Sequence, residues 1–415
     1  MGFRRRQVIA AALTANAIRP LPGYELGVPA FAAGWLTNEL APHLLAATTA
    51  DAVVHATRRR RDPLGLLLAG ATAAGLGYLI KQARDVQQQA EESLAEGLGV
   101  DYLDQLESRP TPADLATPWR QLVFPFRVRE KRVRVLRNVP FNPEYGRRGM
   151  LDVYLPADTP PQGAPVLVQV HGGAWTIGTK DQQGIPLMKH LAAKGWICVA
   201  PNYRLSPRNR WPAHVVDVKK AIAWVRENIA EYGGDPDYIA ITGGSAGGHL
   251  CALAALTPND PAWQPGFEHV DTSVQAAVPH YGVYDVAGST GTKRSIQLRD
   301  RFLAPRVMRK RWSKDPEVFE DASPILRITS DAPDFFVLHG RHDTLVPVDQ
   351  ARQFVAKLRE TSKRTVVYAE LPGTQHAFDV FPSIRSAHVV RAIDRYLHWH
   401  WNGYRRERAA TTTTG

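Results

Sequence analysis

The fold turns on Tyr238-Ile-Ala-Ile-Thr-Gly-Gly-Ser-Ala-Gly-Gly-His-Leu250. β-Favouring residues at 238–242 run into Gly243-Gly244-Ser245-Ala246-Gly247, and a helical run follows at 249–256. This is G-x-S-x-G between a strand and a helix, the setting in which the pentapeptide turns sharply and presents a serine hydroxyl. The flanking glycines lack the Cβ that would collide in so tight a turn. A phosphate cradle would need a following Gly-Lys-Ser/Thr or a G-x-G-x-x-G, and the sequence has neither. Ser245 is the candidate nucleophile.

Around this stretch lie short, continuous apolar runs at 166–170, 196–200, 239–241, 276–278 and 335–338. Strands buried on both faces have this composition. The segments 132–136 and 151–155 alternate polar and apolar residues, as antiparallel strands near a sheet edge do. Helical stretches separate the runs, notably 214–229 and 350–358. Strands alternating with helices predict an α/β fold with a mostly parallel central sheet flanked by helices.

A serine hydroxyl needs a base at neutral pH, and behind a G-x-S-x-G turn the order is Ser, then Asp or Glu, then His. Asp343 falls in the loop after the 335–338 run, at the sheet edge that carries the serine turn. Asp349 is its nearest rival but stands where a helix cap is expected. His376 lies in Leu371-Pro-Gly-Thr-Gln-His-Ala-Phe378, a turn following the strand predicted at 366–371. The other histidines have plainer settings, among them His249 on the nucleophile helix and His388, His398 and His400 on the last helix. His171-Gly-Gly-Ala-Trp175 follows the 166–170 strand. The backbone N–H groups of Gly172, Gly173 and Ala246 are the expected donors to a tetrahedral oxyanion.

The 415 residues carry a net charge of +11, and its distribution decides the partner. Arginines at 4–6 and 58–61 flank apolar segments, as at membrane anchors. No nucleic-acid-binding motif accompanies the charge, so a membrane lipid surface is expected and nucleic acid is not. Residues 64–80 are free of charge up to Lys81 and would span roughly 25 Å as a helix. With Arg58–Arg61 held in the cytoplasm, the catalytic part would lie outside. The apolar stretch 28–56 carries Asn38, Glu39, His43 and Asp51, which fits an interfacial or packed helix. Cys198 and Cys251 sit in apolar runs and read as buried core thiols.

The resulting division is an apolar helical anchor at 1–90, a helical and proline-rich linker at 91–125, a catalytic domain at 126–402 and a disordered tail at 403–415. Residues 286–328 form an insertion in which nine Lys/Arg at 293–314 face one acid, Asp300. This insertion is expected to cap the site. With all chemistry placed after residue 170, a chain beginning near Val100 is expected to keep its activity on small esters.

Over residues 126–400 the chain resembles the hormone-sensitive-lipase-like esterases of the α/β-hydrolase fold, and with its N-terminal region the membrane-anchored lipases of actinobacteria. The resemblance rests on His171-Gly-Gly-Ala-Trp, Tyr203-Arg-Leu-Ser-Pro207, Gly234-Asp-Pro-Asp-Tyr-Ile239, Gly243-Gly-Ser-Ala-Gly-Gly248, Asp343 and Gln375-His-Ala-Phe378. It implies hydrolysis of small-molecule or lipid carboxylic esters through an acyl-enzyme, with no cofactor or metal. Two positions depart from the family: Gly244 replaces its usual Asp, and His249 its usual Asn. The serine turn also resembles that of arylformamidases, which keeps amide hydrolysis open. An inactive hydrolase domain serving as a membrane-tethered binding module is the alternative of another class.

Overall fold

The computed structural model describes residues 1–57, 62–158 and 161–413, so the arginine flank at 58–61 lies outside the described residues. Eight strands form one sheet: β1 (Val133–Pro140), β2 (Met150–Pro156), β3 (Ala164–Val170), β4 (Ile197–Pro201), β5 (Gly234–Gly244), β6 (Ala276–His280), β7 (Asp334–Gly340) and β8 (Val366–Leu371). Their order is β1-β2-β4-β3-β5-β6-β7-β8. β2 runs antiparallel to both β1 and β4, and every pair from β4 to β8 is parallel. β3, β4 and β6 are buried along their whole length, which is why their sequences are unbroken apolar runs.

The two faces divide these runs residue by residue. Val166, Val168 and Val170 pack into the core on one side, with the helices Ala213–Asn228, Ala246–Leu256 and Val348–Thr361. Leu167 points to the other side, where Ile185–Ala192 and the C-terminal helix Ile384–Thr413 pack. Cys198 and Cys251 are buried free thiols. The parallel order brings the ends of β3, β5, β6 and β7 to one edge. The site lies there.

Four helices precede the sheet: α1 (Phe3–Ile18), α2 (Tyr24–Glu39), α3 (Ala41–Ala56) and α4 (Pro63–Leu98). α4 begins with Asp62 accepting the Gly65 N–H and Pro63 in the first turn, and ends before Gly99 at φ +99°. The expected boundary at residue 90 therefore falls inside one 36-residue helix. The change of composition at Lys81 marks a change of surroundings and no break in the backbone. Ala17, Ala41, Leu76 and Leu79 pack together among α1, α3 and α4, whereas Val86, Ala90 and Leu94 belong to the core beneath the sheet. Among the described residues, α4 alone is a helix long and apolar enough to cross a membrane, with 28 % of its most apolar stretch buried.

One further expectation is corrected. The C-terminal helix continues to Thr413, so residues 403–413 are not a disordered tail. Arg405 and Arg408 pair with Glu107 and Asp235 across that helix's last turns. The 286–328 insertion holds the helices Lys293–Leu298 and Pro316–Asp321 and a wider-wound turn, Arg299–Met308. Its Leu303, Val307 and Met308 are buried, and Arg299 stacks 4.5 Å over Trp312.

Candidate active site

β5 delivers Ser245 at φ 60°, ψ −120°, a conformation that is costly for a residue with a Cβ. The turn is held by the Ser245 N–H donating to the His280 carbonyl at 3.0 Å, and by glycines against which nothing larger fits. A Cβ on Gly247 would lie 2.2 Å from the Val170 carbonyl oxygen, and one on Gly243 2.5 Å from that of Gly247. Thus β3, β5 and the nucleophile helix approach more closely than any side chain allows. Ser245 is half-buried.

The loop after β7 supplies Asp343, and the loop after β8 supplies His376. His376 Nδ1 donates to Asp343 Oδ2 at 2.6 Å. A carboxylate only accepts, so the proton sits on Nδ1 and the Nε2 lone pair is free. The other carboxylate oxygen, Oδ1, accepts the N–H groups of Leu345 and Val346, both at 2.8 Å. Burial alone would raise the Asp343 pKa. Attraction to the imidazolium form of His376 and the hydrogen bonds from His339 and His376 outweigh it and hold the carboxyl well below its ordinary value. Asp349 pairs with Arg352 on the surface and takes no part. Among the described residues, no hydrogen bond joins Ser245 to His376. Tyr281 packs beside the histidine: its ring centroid lies 4.5 Å from that of His376, and its hydroxyl fills the space a Gly244 side chain would need.

The glycine turn after β3 lies beside the serine, with the direction of a Gly172 Cβ passing 3.3 Å from Ser245 Cβ. Gly172 itself has no N–H to offer, because it donates to Gln183 Oε1 at 2.7 Å. That leaves Gly173, at φ +118°, and Ala246, whose N–H at the start of the nucleophile helix has no intrahelical acceptor. Ala174 and Trp175 also take positive φ, so the turn is wound tightly over the serine.

Several positioning groups escaped the sequence. Gln375 Oε1 accepts the N–H groups of both Thr344 and His376 at 2.9 Å, clipping the acid loop to the base loop. Asp379 accepts from His280 Nδ1 at 2.5 Å and from the Tyr281 hydroxyl, tying the histidine loop to the strand beside the serine. His249, singled out only as a departure, accepts from Trp175 Nε1 at 3.2 Å through Nδ1 and donates to the Ala322 carbonyl at 2.7 Å through Nε2. It joins the glycine turn to the insertion, and burial pushes its pKa down to about 4, so it stays neutral.

α2 crosses over His376. Phe31 meets the His376 ring edge-on at 5.8 Å, and Trp35 Nε1 donates to the Ala377 carbonyl at 2.7 Å. Gly27 lets the helix approach until Thr344 Oγ1 donates to the Gly27 carbonyl at 2.8 Å. Below, Glu39 forms a buried ion pair with Arg385 and accepts from Ser383 Oγ at 2.5 Å. From the insertion, Arg294 donates to the Thr344 carbonyl at 2.6 Å and Arg301 pairs with Glu25. The roof over the histidine is therefore made by α2 and the insertion together.

A strained serine on a strand-to-helix turn, beside an Asp–His pair at the end of a parallel sheet, is the geometry of the α/β-hydrolases. The family profile described as BD-FAE matches residues 151–358. The chain belongs to the BD-FAE family. Among relatives of this BD-FAE protein is the probable carboxylic ester hydrolase LipM of Mycobacterium tuberculosis, 47 % identical over 403 residues, covering 94 % of this chain and 91 % of the relative. Esterase LipQ of the same organism is 54 % identical over 261 residues, 63 % of this chain and 61 % of that one. Among solved structures, the butyrate-bound esterase Est2 of Thermogutta terrifontis superposes with a TM-score of 0.53 at 26 % identity, covering 64 % of this chain and 94 % of its own. The protein is an α/β-hydrolase-fold carboxylic ester hydrolase of hormone-sensitive-lipase-like type.

Proposed function

We propose that this esterase works through Ser245, His376 and Asp343, at the surface of a membrane. His376 Nε2 takes the proton of the Ser245 hydroxyl as Oγ attacks the ester carbonyl carbon. Negative charge on the carbonyl oxygen is met by the N–H groups of Gly173 and Ala246. The carbon–oxygen bond to the alcohol then breaks, and the alcohol leaves with the proton from Nε2. Water repeats the sequence on the acyl-enzyme, releasing the acid and restoring Ser245. Asp343 holds His376 in the required tautomer and stabilises the imidazolium. The observation that carries this assignment is the 2.6 Å Nδ1–Oδ2 bond beside a serine at positive φ.

Membrane association is supported by α4 and by the apolar side chains its neighbours leave exposed, and it favours lipid-like esters as substrates. A fluorophosphonate probe should label Ser245, and Ser245→Ala should abolish both labelling and ester turnover while the protein stays folded. Labelling that persists in Ser245→Ala would place the nucleophile elsewhere. A panel of esters of graded chain length beside an aryl formamide tests the substrate class. Faster turnover of the formamide would reassign the enzyme to amide hydrolysis.

A further inference from the structure

Away from the active site, a cavity of about 530 Å³ opens between the 118–132 segment, Ile185–Ala192 and the C-terminal helix. Arg120, Arg127, Arg129, Lys189 and Arg391 line it. Two acids share its wall, and both are engaged: Glu130 pairs with Arg132, and Asp114 accepts the N–H and hydroxyl of Thr111. Among the described residues, no carboxylate lies within ion-pair distance of those five cations. Lys189 Nζ donates to the Val128 carbonyl at 2.5 Å, and Arg391 to that of Ala116. Burial lowers the pKa of both, and the more distant Glu130 and Asp114 offset it only in part.

Exposed apolar side chains stand beside this cavity, Phe124 on its wall and the others next to lining residues in the chain. Phe124 and Phe126 are 62 % and 69 % exposed, and Trp119 and Val123 also face outward. Leu122, on the cavity wall, packs with Ala83 and Ile80 of α4. Ile80 ends the charge-free stretch and Lys81 begins the polar one. The cavity is thus level with the point where α4 would leave hydrocarbon for the headgroup layer, where aromatic and basic side chains collect at membrane surfaces. Forked guanidinium groups suit a phosphate, which accepts from several at once. We propose that the cavity binds the phosphate headgroup of an anionic membrane phospholipid, whose acyl chains lie against these exposed apolar side chains and α4. This rests on the membrane association proposed above. A soluble phosphate would have no use for those apolar side chains.

The test uses the full-length protein in a neutral detergent, following thermal unfolding with three probes. Dioctanoyl phosphatidylglycerol should raise Tm by about 3 °C near saturation. Dioctanoyl phosphatidylcholine and inorganic phosphate should leave it within about 1 °C. The double substitution Arg127→Gln/Arg129→Gln should remove the phosphatidylglycerol shift while ester turnover and the unliganded Tm are kept. Arg120→Gln alone serves as the second variant if the double one does not fold. An equal shift from phosphatidylcholine or from inorganic phosphate overturns the proposal, as does a shift that survives the substitutions. A high-salt wash from neutral phosphatidylcholine vesicles tests the anchor separately. Protein that washes off yet keeps the phosphatidylglycerol shift refutes the anchor and leaves the headgroup site standing. Protein that stays bound but shows no shift refutes the headgroup site alone.

Discussion

The helices before the sheet and the sheet with its flanking helices treat apolar surface in opposite ways. Among the described residues, the large apolar side chains left exposed lie at or before Phe126, except Ile177 and Leu326. After Phe126, aliphatic and aromatic residues are almost all enclosed by the two faces of the sheet. In the first region the apolar surface is turned outward; in the second it holds the fold together. α4 belongs to both, with Leu64 and Leu67 exposed near its start and Val86, Ala90 and Leu94 buried further along. The two regions are less separate at the site, since α2 comes from the first region and roofs His376 of the second.

The sharpest way to break this comparison is to remove chemistry from the sheet region. His376→Ala should lower kcat roughly 10⁴-fold, and adding Ser245→Ala should cost little more, because the two act as a unit. Near-normal turnover of His376→Ala on a soluble ester would mean that the base lies elsewhere.

Acid should undo the sheet region first. Burial lowers the pKa of His171 and His249 to about 4 and of His214 to about 3. The unfolded chain takes up these protons near pH 6.5 and the folded chain does not, so the stability they allow is complete above that pH. It is lost as pH falls from about 6.5 towards 4, on the order of 3 kcal/mol for each histidine. Trp175 bonds to His249, and Trp211 stacks with His214. Tryptophan fluorescence should therefore report unfolding in this window, and an unchanged spectrum down to pH 4 would contradict the assignment.

The two halves of α4 offer the next contrast. Leu94→Ala should destabilise the protein by about 2–5 kcal/mol, and Leu67→Ala by less than about 0.5 kcal/mol, read as shifts in Tm in detergent. A chain beginning at Val100 should not fold, against what the sequence alone suggests, because Val86, Ala90 and Leu94 would be missing from the core. Soluble, active protein from that truncation would show that the halves are separable after all. The smallest effect on activity belongs to the roof. Trp35→Phe deletes one hydrogen bond, worth about 1 kcal/mol, and should lower kcat/KM about 5-fold while fluorophosphonate labelling continues.

The sheet was legible because buried parallel strands leave unbroken apolar runs and crossovers leave helical ones between them. The placing of Ser245, Asp343 and His376 at one end of the sheet was legible because each follows a strand within a turn of recognisable composition. Gly172 was misjudged for a physical reason: its N–H is claimed by Gln183, eleven residues on, and nothing in a His-Gly-Gly turn announces that partner. The end of α4 was missed because a helix leaving an apolar environment changes composition without changing conformation. Gly99 was the true stop. The threonine-rich end looked unstructured, yet it continues a helix already anchored by Arg405 and Arg408. α2 was the hardest to read, since Trp35 and Glu39 find their partners at Ala377 and Arg385, more than three hundred residues away.

The buried Glu39–Arg385 pair also bears on how substrate enters. The two side chains are 1 % and 0 % exposed, and burial raises the Glu39 pKa despite the arginine beside it. Swinging α2 away from the site would part these charges within the protein, and breaking such a pair costs about 3–5 kcal/mol. α2 is therefore a fixed wall and not a gate. Progress curves should start without a lag, and the rate should rise smoothly as a sparingly soluble ester passes from dissolved to dispersed.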